Sequence, residues 1–472
     1  MNILYAASEA SPFIKVGGLG DVAGALPKAL CAAGEDCRVI LPFYSAIPQA
    51  LRDQCEYKAH FYVRSAGEDR YCGIFEANVG GVIYYLLDNE FYFNREKTYG
   101  EGDDAERFAF FSRAVLEAIP VLGFIPDILH CNDWHTALIP AVLDTEFRWR
   151  KEFKNIRTVF TIHNIEFQGQ FDPYILGGTF GMSNEQLPLM TYGGCLNLMK
   201  GAIESAGRVT TVSETYAKEI MDPPKSCGLE DILRARAFKV SGILNGIDTE
   251  LFNPQTDPRI KVNYTSRSLG RKVQNKNALQ KELGLPETDA VPLFGMVTRL
   301  THQKGMELME AKLDWLLSQD VQVVILGTGD AHYEEFLKEA AKRHPDNLRV
   351  ILAFDGNLAQ RIYAGCDIFL MPSKFEPCGL AQMIAMRYGT LPLVCVTGGL
   401  ADTVPAYNYG ERSGRGITFH TQHAEDFSHA LWRAIELFHD KEHFLQAQKN
   451  AMKGDYSWGP SVKAYLALYN SI

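Results

Sequence analysis

Five short apolar runs in the second half of the chain, separated by stretches of helical period, constrain the fold more than any other feature of the sequence. The runs are Leu293–Thr298, Val321–Leu326, Arg349–Ala353, Ile368–Met371 and Leu393–Val396, with helical segments predicted at 305–317, 331–343, 358–364 and 379–388. Short runs that are apolar on both faces suit strands covered on both sides. Alternating them with helices gives a doubly wound, parallel α/β sheet. The first half opens in the same way, with a strand at 2–8, a helix at 22–33 and a strand at 37–42. Asp127–His130 and Thr158–Ile162 add two more strands. Residues 50–110 are aromatic and weakly periodic, and there the pattern predicts hairpins or an insertion. Tyr456–Ile472 reads as a final helix.

A chain of 472 residues exceeds what one hydrophobic core supports, so two sheets mean two domains. Turn chemistry at Asn245-Gly246, Asn253-Pro254 and Asp257-Pro258 puts the seam within 241–257. The expected division is 1–244, 245–455 and a terminal segment 456–472. Two such sheets are expected to face each other across a deep cleft lined by loops from the carboxyl ends of their strands, where ligands of this fold class bind.

Composition narrows the function. A formal net charge of −10 argues against general nucleic-acid binding, which needs a basic surface. No apolar run reaches the roughly 20 residues that cross a bilayer, so no membrane association is expected. The start, Met1 to Glu9, lacks a basic leader and reads as a strand, which suggests a cytoplasmic protein. The ten cysteines have no CxxC pair and read as reduced, mostly buried thiols. His130 and His135 lack further ligands in sequence, so no metal is expected.

Four groups of residues follow predicted strands. The first is Lys15-Val16-Gly17-Gly18-Leu19-Gly20-Asp21, where glycine amides and a helix N-terminus can receive an anion beside the Lys15 cation. Gly18-x-Gly20-x-x-Ala23 matches a dinucleotide fingerprint only formally. It starts too far from the first strand, and the next strand ends Leu41-Pro42-Phe43 with no acid for a ribose. A structural glycine turn is the plain alternative. The second group, Thr298 to Gly305, holds Arg299 and Lys304 five residues apart, a spacing that lets both reach one diphosphate. Its alternative is a solvated basic loop. The third, Pro372 to Leu380, sets Glu376 between Phe375 and Pro377. That carboxylate is suited to sugar hydroxyls, and otherwise to a helix N-terminus. Cys378 has no local base to activate it. Thr397-Gly398-Gly399 supplies another amide-rich turn. The fourth group is His130 to His135 with Thr161 to Asn164, two histidine-bearing loops that can share one sheet edge.

Together these residues resemble the bacterial glycogen and starch synthase family. Lys15–Asp21, His130–His135, Thr161–Asn164, Thr210–Ile220, Leu244–Asp248, Gln303–Gly305, Glu376–Leu380 and Thr397–Val404 match its blocks in order and at suitable spacing over nearly the whole chain. The resemblance implies two Rossmann-like domains of the GT-B type, the first on the acceptor side, the second for the sugar nucleotide, and the last helix returning to the first. It implies ADP-glucose as donor and co-substrate, an α-1,4-glucan acceptor, retention of configuration and no cofactor. On that resemblance Arg299 and Lys304 would neutralise the diphosphate, helped by Gly17, Gly18 and Lys15, with Asp21 in the same block. His163 and Asn164 would line the glucose pocket, and Glu376 would bind glucose hydroxyls beside Cys378, Gly379 and Leu380. Asp133 and Asn245 would position donor or acceptor, Thr397, Gly398 and Gly399 would lie near sugar and phosphate, and Tyr99 near the nucleotide.

Three stretches depart from the family pattern, namely Glu230-Asp231-Ile232, Ser213-Glu214-Thr215 and Lys374, none of them in the cation set. The sequence leaves several alternatives open. These are a related transferase using UDP-glucose or a small sugar acceptor, a phosphorolytic enzyme with a pyridoxal-bearing lysine, and a catalytically silent glucan-binding protein. Oligomeric state is also left open.

Overall fold

The computed structural model describes residues 1–65 and 67–472. The chain divides into two compact units, unit 1 comprising Met1–Gly246 with Trp458–Ile472 and unit 2 comprising Ile247–Ser457.

Unit 1 is built on one nine-stranded sheet. Its strands are β1 (Asn2–Ala6), β2 (Asp36–Pro42), β3 (Glu56–Ser65), β4 (Glu68–Val79), β5 (Val82–Asp88), β6 (Ile128–Asn132), β7 (Arg157–Ile162), β8 (Arg208–Thr211) and β9 (Val240–Gly242). The spatial order is β9-β8-β7-β6-β1-β2-β5-β4-β3. From β9 to β5 every pairing is parallel, and β4 and β3 extend the edge antiparallel. The residues 50–110, expected as hairpins or an insertion, therefore hold the β3–β4 hairpin, and they continue the main sheet. Their weak periodicity has a physical cause: β3 is an edge strand, exposed or half-exposed along most of its length.

The first helix runs Gly18–Ala32, four residues earlier than its apolar pattern suggested. Gly18, Leu19, Gly20 and Asp21 thus form its first turn. That turn needs no intrahelical donors, so glycine is tolerated there. The terminal helix Gly459–Asn470 belongs to unit 1. Tyr469 and His130 bond through oxygen and Nδ1 at 2.7 Å, and the opposite ring nitrogen of His130 lies 2.6 Å from Thr161 Oγ1. Burial lowers the pKa of His130 to about 3, so this histidine is a neutral tie between sheet and helix.

Unit 2 contains a six-stranded, wholly parallel sheet: β10 (Leu293–Val297), β11 (Gln322–Leu326), β12 (Leu348–Ile351), β13 (Ile368–Met371), β14 (Leu391–Cys395) and β15 (Ile417–Phe419), in the order β12-β11-β10-β13-β14-β15. The helices Met306–Leu317, Ala331–Arg343, Gly356–Gly365 and Ala381–Arg387 lie where the pattern placed them. Its sheet core joins Val324 and Leu326 to Leu279, Ile362 and Cys366. At the amino ends of the strands, Lys276 pairs with Asp367 at 2.7 Å, and the same carboxylate accepts the Leu293 amide at 2.9 Å.

All ten cysteines are free and six of them are buried. Among the described residues, no helix is long and apolar enough to cross a membrane, and no three His, Cys, Asp or Glu side chains cluster as metal ligands would.

Candidate active site

Each sheet has one point where the strand order reverses, and the candidate residues gather at those points. In unit 1 the chain leaves β1 toward β2 on one side and later returns to β6 on the other. The loops after β1 and β6 therefore diverge and leave a crevice at their carboxyl ends. In unit 2 the corresponding point lies between β10 and β13.

At the unit 1 crevice, the loop after β1 is organised by a residue that the motif reading missed. The Glu9 carboxylate, 2% exposed, accepts the amides of Val16 and Gly17, the latter at 3.1 Å. Burial raises its pKa, and the amide bonds, including one from Gly20, oppose that rise. So the Gly17 amide, expected to face a substrate anion, already holds an internal one. A Cβ on Gly18 would meet nothing within 4 Å, which leaves that face of the loop open to a ligand. Lys15 pairs with Asp21 at 2.8 Å and is 44% exposed, within reach of solvent.

The loop after β6 carries Asp133 at φ 55°, a conformation that costs a non-glycine residue roughly 1–3 kcal/mol. Its Oδ1 accepts the amides of His163 at 2.7 Å and Asn164 at 3.4 Å, tying the loops after β6 and β7 together. Burial pushes the Asp133 pKa up to about 7, although both amides favour the charged form. His163 Nε2 lies 2.9 Å from Asn132 Oδ1. The Asn132 amide nitrogen donates to the Ala6 carbonyl at 3.0 Å, so Oδ1 is the acceptor and Nε2 carries the ring proton. Nδ1 is then the acceptor side of the ring, and burial, which lowers the His163 pKa to about 3, keeps it neutral. His163 is thus a hydrogen-bonding group, not a cation.

Tyr99 and His135 belong to one aromatic cluster. Their rings lie 4.9 Å apart, and Trp134 and Phe108 pack on His135 at 4.2 and 4.6 Å. Both ring nitrogens of His135 are buried without a hydrogen-bond partner, and its pKa falls to about 3. Asn245, 5% exposed at the end of unit 1, also has a buried Oδ1 without a partner.

In unit 2 three loops mesh at the carboxyl ends of β10, β13 and β14. Gly305 sits at φ 76°, and a Cβ there would lie 2.1 Å from the Pro372 carbonyl oxygen, so only glycine lets the first loop close on the second. Gly398 repeats the device, since its Cβ would lie 2.0 Å from the Glu376 oxygen. The Lys374 amide donates to Gln303 at 2.9 Å, and the Gly399 amide to Glu376 at 3.1 Å.

This meshing brings Lys304 Nζ to 2.6 Å from Glu376 Oε2, with the side chains only 15% and 8% exposed. Ser373 donates to the same oxygen at 3.0 Å. The expected diphosphate cation and the expected sugar-binding carboxylate therefore neutralise each other in the free protein. Arg299 is exposed on the neighbouring loop, and among the described residues its guanidinium makes no ion pair. Cys378 is buried at 5%. Gly379 turns at φ 71° and Leu380 precedes the helix Ala381–Arg387. Thr397 is 2% exposed at the start of the short helix Gly398–Thr403. Lys374, one of the departures from the family pattern, pairs with Glu307 at 2.5 Å instead of joining the cluster.

Chemically, unit 2 offers a free guanidinium, a lysine held by a displaceable carboxylate, and amide-rich turns. Such a set is suited to a phosphorylated sugar. Unit 1 offers a neutral imidazole, a strained carboxylate near neutrality and a lysine beside an open glycine turn.

Residues 2–235 match the family described as "Starch synthase catalytic domain", and residues 275–453 match "Glycosyl transferases group 1". Three curated proteins called "Glycogen synthase", from Desulforamulus reducens, Bacillus cereus (strain B4264) and Streptococcus agalactiae serotype III, are each 47% identical. Each alignment covers 100% of this chain and 99%, 100% and 100% of theirs. Among solved structures, the catalytic domain of starch synthase IV from Arabidopsis thaliana, bound to ADP and acarbose, superposes with a TM-score of 0.93 at 36% identity, covering 100% of this chain and 99% of that one. Sucrose-phosphate synthase from Thermosynechococcus elongatus shares the fold at a TM-score of 0.64 and 16% identity, covering 99% of this chain and 98% of that one.

Proposed function

The chain belongs to the starch and glycogen synthase family of GT-B glycosyltransferases, and from that premise we propose that it transfers glucose from ADP-glucose to the non-reducing end of an α-1,4-glucan with retention of configuration. The observation that carries the reading is the unit 2 cluster, in which Lys304 is held against Glu376 beside an unpaired Arg299, in a fold shared along its full length with a starch synthase solved with ADP.

The reaction breaks the bond between the anomeric carbon and the β-phosphate oxygen, leaving ADP with added negative charge and a sugar of oxocarbenium character. Arg299 and Lys304 stabilise the leaving diphosphate, and preplaced cations do so without reorganising in the transition state. When donor enters, Lys304 turns from Glu376 to phosphate and Glu376 is released to the glucose hydroxyls, so one exchange serves both ends of the donor. His163, neutral with Nδ1 as acceptor, takes a hydrogen bond from a sugar hydroxyl, and Asp133 and Asn164 hold its loop. The acceptor hydroxyl attacks on the face that ADP leaves, and its proton passes to the departing phosphate oxygen. No cofactor enters these steps. In unit 1, Lys15 and the open Gly18 face of its loop are suited to an anionic group of a substrate.

Purified protein incubated with ADP-glucose or UDP-glucose, each labelled in the sugar, and with glycogen tests the reading. Label is expected in glycogen from ADP-glucose, as new α-1,4 linkages. Incorporation from UDP-glucose alone would move the assignment to the related transferases, and incorporation from neither donor would remove the activity.

A further inference from the structure

The loops after β13 and β14 are tied to each other by a buried side chain that none of the sequence motifs includes. Gln382, in the first turn of the helix Ala381–Arg387, is 0% exposed. Its Nε2 lies 3.0 Å from the Cys378 carbonyl oxygen, 2.9 Å from that of Gly379 and 3.1 Å from Thr403 Oγ1. Thr403, buried at the end of the short helix Gly398–Thr403, donates its own hydroxyl to the Gly399 carbonyl at 2.6 Å.

The orientation of the carboxamide is fixed, because the reverse would set Oε1 against two carbonyl oxygens. Oε1 is buried without a partner. An apolar side chain of similar size would avoid that cost, so what distinguishes glutamine here is what its nitrogen holds. Gly379 is shaped to the same end. It turns at φ 71°, and a Cβ there would lie 2.5 Å from Oε1.

Holding those carbonyls decides where the next amides point. In a planar trans peptide the C=O of one residue and the N–H of the next face opposite ways. Pinning the Cys378 and Gly379 oxygens inward on Gln382 therefore turns the Gly379 and Leu380 amides outward, at the carboxyl end of β13. A positive φ at Gly379 followed by αR geometry at Leu380 brings successive amides to one side, the concave arrangement that takes an anionic oxygen. Neither amide donates to another group among the described residues. Both residues are half-buried, whereas Cys378 and Gln382 are buried. Through Thr403 the same carboxamide also fixes the Gly399 carbonyl, and with it the turn after β14.

We propose that Gln382 is a positioning residue for glucose transfer, holding the Gly379 and Leu380 amides in the direction of the donor's diphosphate. The proposal rests on the donor being a sugar nucleotide. Gln382 itself touches no reacting atom. It keeps two donors aimed before the charge develops, which is where preplaced dipoles gain over mobile ones.

The test compares the full chain with Gln382→Met, Thr403→Val and Thr403→Ser. A control, Gln448→Met, removes a buried carboxamide bond to the Gly389 carbonyl elsewhere in unit 2. Gln382→Met is expected to lower kcat/KM for ADP-glucose roughly thirtyfold. ADP binding measured by calorimetry should weaken roughly tenfold, with the KM for glycogen unchanged. Thr403→Val should lose less, while Thr403→Ser, which keeps the hydroxyl, and Gln448→Met should behave like the wild type. Unaltered transfer and ADP affinity in Gln382→Met would overturn the proposal. So would a glycogen KM raised in step, or an equal loss in Gln448→Met, because either would mean a general loosening of unit 2. Should Gln382→Met not fold, equal activity of Thr403→Val and Thr403→Ser would overturn it instead. Wild-type protein that transfers no glucose would remove the functional reading, and the ADP titrations would still decide the role of Gln382.

Discussion

Replacing Lys304 by alanine separates the electrostatic part of this account from its catalytic part. Lys304 Nζ lies 2.6 Å from Glu376 Oε2, and the carboxylate side chain is only 8% exposed. Removing the lysine leaves that charge with the Ser373 hydroxyl as its one remaining side-chain donor. Breaking a buried pair from one side costs about 3–5 kcal/mol. The 15% exposure of Lys304 lets water in, which places the expected cost near the lower end, at ~3 kcal/mol. For a unit of this size that lowers the melting transition by roughly 6–12 °C. Adding Glu376→Gln removes the orphaned charge, so the double variant should recover most of the loss while both variants stay catalytically poor. Scanning calorimetry of wild type, Lys304→Ala and Lys304→Ala/Glu376→Gln, with turnover measured well below every transition, provides the comparison. A single variant that melts like the wild type would refute the reasoning. So would a double variant no more stable than the single one.

Other outcomes follow from the same site. Glu9→Ala should lower kcat/KM at least about tenfold by releasing the Val16 and Gly17 amides, and Glu9→Gln, which keeps an acceptor oxygen, should restore most of it; equal damage from both would mean that the negative charge matters more than the shape it holds. Asp133→Asn should raise the melting temperature at pH 8, since it removes a charge that burial disfavours there, and should lower turnover; a lower melting temperature would show the ionised form to be the favoured one. His130, His135 and His163 are held neutral to about pH 3 in the fold but titrate near 6.5 when unfolded, so unfolding takes up protons as the pH falls below 6.5. Stability should therefore decline from pH 6.5 toward 5, by up to roughly 1.4 kcal/mol per pH unit for each histidine. Asp133, raised in the fold, works with the opposite sign in this range. Chemical denaturation at pH 7, 6 and 5 measures the slope, and a flat profile would contradict the burial of these rings.

The sequence is most legible where packing and local pattern agree. The unit 2 strands are covered by helices on both faces and read as uninterrupted apolar runs, so all five expected strands lie close to their predicted places. The sixth, β15, escaped because three residues following a turn-rich loop carry no period. The helix Lys272–Leu283 was hidden for another reason. Its buried face is Lys272, Asn275, Lys276 and Gln280 with Leu279, so the inward stripe is largely polar. Those polar groups find buried partners, such as Asp367 for Lys276 and the Ala364 carbonyl for Lys272, that are distant in sequence.

The candidate site was legible as a set of motifs but not as a circuit. Strand-end loops with Lys15, Arg299, Lys304, Glu376 and His163 stand out because those residue types follow apolar runs. That Lys304 is held by Glu376, 72 residues away, depends on two glycines that let three loops approach, and no local pattern encodes it. Glu9 had one available signal, an acid just past β1 and ahead of a glycine-rich turn, a place where apolar burial would ordinarily exclude a carboxylate.

The central claim is that Arg299 and Lys304, both on the loop after β10 in unit 2, serve one departing diphosphate. It is tested most directly by kcat/KM for glucose transfer from ADP-glucose in the single variants Arg299→Ala and Lys304→Ala and in the double variant. The account predicts a loss of roughly a hundredfold or more for each single variant and a double variant whose loss is smaller than the product of the two. Near-normal transfer by either single variant, or losses that multiply in full, would mean that the two groups do not act on the same charge.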